Sequence, residues 1–195
     1  MSETLLKKEK ENSGKYERIL NVALQLFKEK GYHGTSTAAI AKEANISKGL
    51  LYHYFSSKED LIQHIGNKMY QLIYTDFDPN KDGVLTADEF ELFVRSSFQS
   101  IRDNRDFFSM IFVISMNAEI RELMLQNCDV LSIQKQLVTL NAYFTQRFEK
   151  PEQALSLFMA HSKGAALLYC TETDYYTDEM FTFAEQDIIR RFKKG

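Results

Sequence analysis

The sequence predicts an all-α protein, with a small N-terminal domain of three helices at residues 1–60 and a larger helical domain at 61–195. Two prolines and eight glycines in 195 residues leave few breaks, which favours long helices. Hydrophobic residues make up 44% of the chain and recur at helical spacing in most segments, enough to build a core. Residues 35–61, TSTAAIAKEANISKGLLYHYFSSKEDL, read as two short helices around a tight turn, with a third helix opening after them.

Residues 1–13 are polar and lysine-rich and read as a loose, solvated arm. A first helix follows over about 15–30, where Ile19, Val22, Ala23, Leu26 and Phe27 share one face, and Gly31 ends it. In the next helix Ile40, Ala41 and Ala44 face inward, and the small residue at 41 allows a close crossing. Asn45 supplies the turn, because asparagine tolerates a left-handed backbone. Ile46 is expected as a buried anchor, and Ser47 as the N-cap of the following helix. Leu51 then faces the first helix of the pair, while Lys48, Tyr52 and His53 point outward. This division, one face welding two helices and the other left basic and aromatic, is what a helix needs in order to enter the major groove of DNA.

The run ILNVALQLFKEKGYHGTSTAAIAKEA followed by SKGLLYHYFSSKEDL resembles the DNA-binding domain of the tetracycline-repressor (TetR) family from about Ile19 to Leu61. Gly31-Tyr32, Thr35-Ser36-Thr37, Ile40-Ala41, Ser47-Lys48-Gly49, Leu51-Tyr52-His53-Tyr54-Phe55 and Ser57-Lys58-Glu59 carry the resemblance in order and spacing. It implies DNA contacts at Thr37, Ser47, Lys48, Gly49, Tyr52, His53 and Lys58, with phosphate contacts positioning and base contacts specifying. Leu50 occupies an outward position and either meets a thymine methyl or reads nothing, whereas Tyr54 and Phe55 read as core.

Ser57 looks like the N-cap of a fourth helix running to about Thr75, with Glu59 and Asp60 in its first turn. Residues 76–90, DFDPNKDGVLTADEF, interrupt the helical pattern. With Asp78 first, Asn80 third, Asp82 fifth, Gly83 sixth, Val84 seventh, Thr86 ninth and Glu89 twelfth, the stretch fits the calcium loop of an EF-hand. Short oxygen-bearing side chains, the Val84 carbonyl, Thr86 and a bidentate Glu89 would surround Ca²⁺, while Gly83 permits the bend. The same letters also make an ordinary turn, and Thr86 with Glu89 makes a capping box. Only one such loop is present, and the TetR resemblance implies none. Ile73, Tyr74 and Phe77 before it, and Phe90, Phe93 and Val94 after it, would pack together.

A fifth helix is expected at about 87–103, and an apolar one at 106–116. A long segment at 118–148 is expected to break near 127–132. Pro151 starts a helix that runs to about Glu172, and a last helix spans about 178–193. The resemblance implies that these last two helices form a homodimer interface, with Ala154, Leu157, Phe158, His161, Gly164, Ala165 and Leu168 as its close-packed face. It also implies an effector pocket, for which Phe107, Met110, Phe112, Met116, Phe144, Phe158 and Tyr169 are candidate linings. Read one at a time, those residues fit a plain hydrophobic core equally well, and His161 fits a satisfied core histidine.

Charge agrees with this division of labour. Residues 1–66 hold 10 Lys and Arg against 8 Asp and Glu, a net of +2, whereas 67–195 hold 14 against 19, a net of −5. The positive part carries the helix-turn-helix, as phosphate binding requires. No apolar run is long enough to span a bilayer, and the N-terminus lacks the apolar core of a signal peptide. Cys128 and Cys170 form neither a disulfide framework nor a metal set and read as small buried hydrophobes of a cytoplasmic protein. No nucleophile–base pair, phosphate loop or carboxylate dyad is legible, so the chain is read as a non-enzyme. The expected function is a homodimeric regulator of transcription, a repressor of the TetR type, on a palindromic operator. A small apolar or aromatic effector would release it; the alternative is a calcium-responsive regulator sensing Ca²⁺ through the loop 78–89.

Overall fold

The computed structural model describes residues 3–126 and 130–195, leaving aside the side chains of residues 3–12 and 130–132. The described residues form ten helices and no strand: α1 (Glu3–Lys30), α2 (Thr37–Glu43), α3 (Lys48–Tyr54), α4 (Lys58–Tyr74), α5 (Ala87–Asp103), α6 (Arg105–Ser115), α7 (Ala118–Leu125), α8 (Val130–Arg147), α9 (Pro151–Thr171) and α10 (Asp178–Phe192). The expected all-α class is observed. Helix boundaries follow the sequence signals closely at Ser57, where the hydroxyl accepts the Asp60 N–H, and at Pro151 in the first turn of α9; Thr177 caps α10. The expected break at 127–132 falls partly on residues 127–129, and Cys128 lies outside the described residues as well.

One expectation is corrected. The stretch at 1–13 expected as a loose arm is helical from Glu3 onward. Leucine, lysine and glutamate are good helix formers with no proline among them, and α1 extends through them.

The chain forms two compact units, Met1–Asn67 with Met110–Cys128, and Lys68–Ser109 with Asp129–Gly195. Two of the divisions fall inside α4 and α6. In the first unit Ile19, Leu20, Leu24, Ile40, Leu51, Phe55, Leu61, Ile62 and Ile65 are fully buried. α7 joins this unit because its Met124 backbone lies against Gly66 of α4.

The second unit is held by rings. Phe90 stacks on Tyr143 at 4.7 Å, and Phe144, Phe158 and Phe192 complete the cluster. Tyr169 of α9 stacks on Phe181 of α10 at 4.1 Å, and its hydroxyl donates to Asp178 at 2.6 Å. Glu185 is buried on α10. A lone buried carboxylate would be costly, and here Arg102 at 2.8 Å and Arg95 at 3.2 Å neutralise it.

Candidate nucleic-acid interface

The first unit builds a helix-turn-helix from α2 and α3. Ser36 caps α2, its hydroxyl accepting the Ala39 N–H at 3.1 Å. Asn45 has φ of 52°, the left-handed turn that the sequence required. The Ile46 N–H donates to the Ala41 carbonyl at 3.0 Å and closes the turn, although Ile46 is half-buried rather than buried. Ser47 caps α3 by accepting the Leu50 N–H at 3.1 Å. Ile40, Ala41, Ala44 and Leu51 are buried and weld the pair.

The opposite face is polar and open. Tyr52 is 45% exposed, and its hydroxyl lies 3.1 Å from Thr37 Oγ1. The Lys48 ammonium stands 5.7 Å from the centre of the Tyr52 ring. Ser47, Gly49 and His53 are exposed beside them. The structure therefore gathers Thr37, Lys48 and Tyr52 into one cluster bridging α2 and α3, a pairing invisible in their spacing. A hydroxyl pair with a neighbouring ammonium can donate several hydrogen bonds to phosphate oxygens.

Lys58 has a structural job that the sequence did not reveal. Its ammonium donates to the carbonyls of Tyr32 at 2.8 Å and Thr35 at 3.1 Å, and it lies 4.1 Å from the Tyr32 ring centre. An ammonium has three N–H groups, so one remains for a phosphate. The turn that Lys58 holds is tied again by the Thr35 hydroxyl, within bonding distance of the Leu26 and Gly31 carbonyls, and Gly31 takes φ of 74°. Beside it the Tyr32 hydroxyl donates to Glu59 at 2.8 Å. Burial, then that carboxylate, push the Tyr32 hydroxyl above its ordinary range. Glu59 is held below its own range, first by its backbone N–H and then by Tyr32.

The 76–90 loop forms a hydrogen-bonded hairpin between α4 and α5. Gly83 has φ of 79°, and its N–H donates to Asp78 Oδ2 at 3.0 Å. Asn80 Oδ1 accepts the Asp82 N–H at 3.0 Å, and Asp82 Oδ1 accepts the Val84 N–H at 2.8 Å. The expected flanks pack, with Phe77 on Phe93 at 4.9 Å. Two features differ from a filled calcium loop. Glu89 turns back to accept the Thr86 N–H and hydroxyl at 2.9 and 2.8 Å, completing the capping box. The Lys135 ammonium of α8 lies 3.6 Å from Asp78 Oδ2. Among the described residues no three His, Cys, Asp or Glu side chains converge as a metal set. Asp78 Oδ1 is nevertheless buried without a hydrogen-bond partner.

The candidate pocket linings scatter by role. Phe144 and Phe158 belong to the ring cluster of the second unit, Tyr169 is stacked on Phe181, and Phe107 packs under the Lys68 ammonium at 4.8 Å. Met110 and Phe112 are half-buried on α6. Met116 is 84% exposed and follows the end of α6. The expected dimer face divides too. Ala154, Phe158 and Ala165 point into the core, while Leu157 and Leu168 are exposed with Phe183 of α10, and His161 and Gly164 are half-buried.

Comparison with known proteins agrees with this geometry. Residues 19–65 match the family described as bacterial regulatory proteins, tetR family. The chain is 40% identical over 95 residues to the uncharacterized HTH-type transcriptional regulator YuxN of Bacillus subtilis, covering 47% of this chain and 32% of that protein. It is 56% identical over 48 residues to the HTH-type transcriptional regulator UidR of Escherichia coli, covering 25% of this chain and 24% of that protein. The matched part thus spans about a third or less of these relatives' length. The fold also matches that of the transcriptional regulator FadR from Bacillus subtilis, in a crystal structure with stearoyl-CoA. There the TM-score is 0.67 at 17% identity, over 92% of this chain and 98% of that one.

Proposed function

We propose that this chain, whose residues 19–65 are a TetR-type DNA-binding domain, is a cytoplasmic transcriptional regulator that represses from a palindromic operator as a homodimer. The observation that carries the reading is the cluster of half-buried Thr37 with exposed Lys48 and Tyr52 on the outer face of α2 and α3. Phosphate contacts from Thr37, Lys48, Tyr52 and the free N–H of Lys58 would fix α3 in the major groove, leaving Ser47, Gly49 and His53 near base edges. Among the described residues no helix is long and apolar enough to cross a membrane, and the reading assigns no catalysis.

The exposed Leu157 and Leu168 of α9 and the exposed Met180 and Phe183 of α10 support self-association, since exposed apolar surface favours burial against a partner. A twofold dimer presents two identical recognition helices to successive half-sites. Release by a small apolar ligand follows if the ligand binds better to a conformation that fits the operator poorly. The stearoyl-CoA bound by the FadR neighbour agrees with an apolar effector.

The test uses an operator selected from random duplexes. Lys48→Ala should weaken binding and reduce the dependence of log affinity on log salt by about one phosphate per subunit. An unchanged salt slope would remove Lys48 from the contact surface.

A second reading, favoured by the buried and unpartnered Asp78 Oδ1, adds Ca²⁺ at the 78–89 loop. Asp78, Asn80, Asp82, the Val84 carbonyl, Thr86 and Glu89 would hold the ion, and its charge would order the loop. Binding requires Glu89 to leave Thr86 and Lys135 to leave Asp78, so the affinity falls by the cost of those contacts. Millimolar Ca²⁺ should raise the melting temperature, an equal concentration of Mg²⁺ should not, and Glu89→Ala should abolish the rise. Identical melting in chelator and in Ca²⁺ would reduce the loop to a capped turn.

A further inference from the structure

We infer that a second small-molecule site lies inside the first unit, and that it takes a small apolar carboxylate. A cavity of about 310 Å³ opens between the end of α1 with its following turn and the junction of α6 with α7. Ligand sites begin at roughly this size, which suits a molecule of about a dozen heavy atoms. Phe27, Ile114 and Ile120 are buried and make an apolar floor, and Val113, 42% exposed, extends it toward the mouth.

The rim selects the polar end. Lys30 lines the cavity, is exposed, and has no ion-pair or hydrogen-bond partner among the described residues. His33 also lines it, but its Nε2 lies 2.9 Å from Glu119 Oε2. That contact pairs the nearby carboxylate, which is itself outside the lining. Asn117 Oδ1 accepts the Glu119 and Ile120 N–H groups at 2.9 and 3.3 Å. Its side-chain NH₂ is left to donate. An apolar floor with an ammonium and an amide donor at its edge fits an aromatic or branched acid, carboxylate outward.

The shape depends on the turn. Gly34 can have no side chain, because a Cβ there would stand 2.4 Å from the Lys30 carbonyl oxygen. The same turn carries the Tyr32 and Thr35 carbonyls that hold Lys58 and leads directly into Thr37 of α2. On the regulator reading, a ligand here would act on the segment that orients the DNA-contacting face, separately from any pocket in the second unit. Binding itself needs no DNA, so its failure is distinguishable from failure of that reading.

The probe is 2-naphthoate, titrated into the full chain and followed through backbone amide resonances, with 2-naphthamide as the neutral analogue. The expected result is saturable shifts at Gly31, His33, Gly34 and Asn117. Lys30→Gln, an exposed change that leaves the fold intact, should weaken binding about fivefold or more, and 2-naphthamide should bind more weakly by a similar factor. Shifts confined to the second unit would overturn the site. Equal affinity of Lys30→Gln and the parent, or of the acid and the amide, would overturn the carboxylate assignment.

Discussion

Gly66→Ala should destabilise the protein strongly, although alanine is the better helix former. On an open helix the exchange is favourable by about 1 kcal/mol. Gly66 is buried in the middle of α4, and a Cβ there would stand 2.3 Å from the Met124 carbonyl oxygen and 3.0 Å from both Met124 C and Cβ. The obstacle is the backbone of α7, which cannot rotate aside as a side chain tip can. Overpacking of this kind costs about 1–3 kcal/mol and more where backbone must move. The sum is a net loss of about 2 kcal/mol, read as a lower urea midpoint with unchanged m-value. Gly14→Ala is the control. It lies on exposed α1 with nothing within 4 Å of the added carbon, so it should stabilise by up to about 1 kcal/mol. If both substitutions stabilise alike, α4 and α7 do not meet backbone to backbone.

Gly66 also marks where sequence reasoning ends. The helices were legible because each announces itself locally: Ser47 and Ser57 as caps, Asn45 and Gly31 at the left-handed turns, Pro151 at a helix start. Outward and inward faces of α2 and α3 were legible for the same reason. What was hidden depends on residues distant along the chain. Nothing near Gly66 names Met124. The Tyr52 hydroxyl meets Thr37 fifteen residues away, and Lys58 bonds carbonyls 23 and 26 residues earlier. Spacing on α9 could show that it has an apolar face, but it could not separate Phe158, which fills the ring cluster, from Leu157, which is exposed. The calcium loop shows the same limit. Its bend, its Asp78–Gly83 bond and its packed flanks follow the motif, whereas the position of Glu89 was open between two partners and in this structure it caps Thr86.

Gly49→Glu should abolish useful operator binding while leaving the fold as stable as before or more so. Gly49 is exposed in the first turn of α3, and an added Cβ would have only Ser47 Oγ near it, at 4.0 Å. Replacing glycine in a helix gains up to about 1 kcal/mol, and an acidic side chain in a first turn is favourable by a few tenths more, about 0.3–1 kcal/mol. Nothing in the folded chain therefore opposes the change. Toward DNA the sign reverses. The new carboxylate would stand on the face that carries Lys48, Tyr52 and Thr37, cancel the lysine charge and repel the phosphates those groups are proposed to hold. A loss of about 100-fold, or ~2.7 kcal/mol, is expected at moderate salt. Gly49→Ala, which adds bulk without charge, should lose far less. Melting temperature and oligomeric state separate this from misfolding: the first should equal or exceed the parent's, and the second should match it. If Gly49→Glu binds the selected operator as the parent does, α3 does not enter the groove by this face, and the Thr37–Lys48–Tyr52 cluster is surface chemistry without a DNA partner.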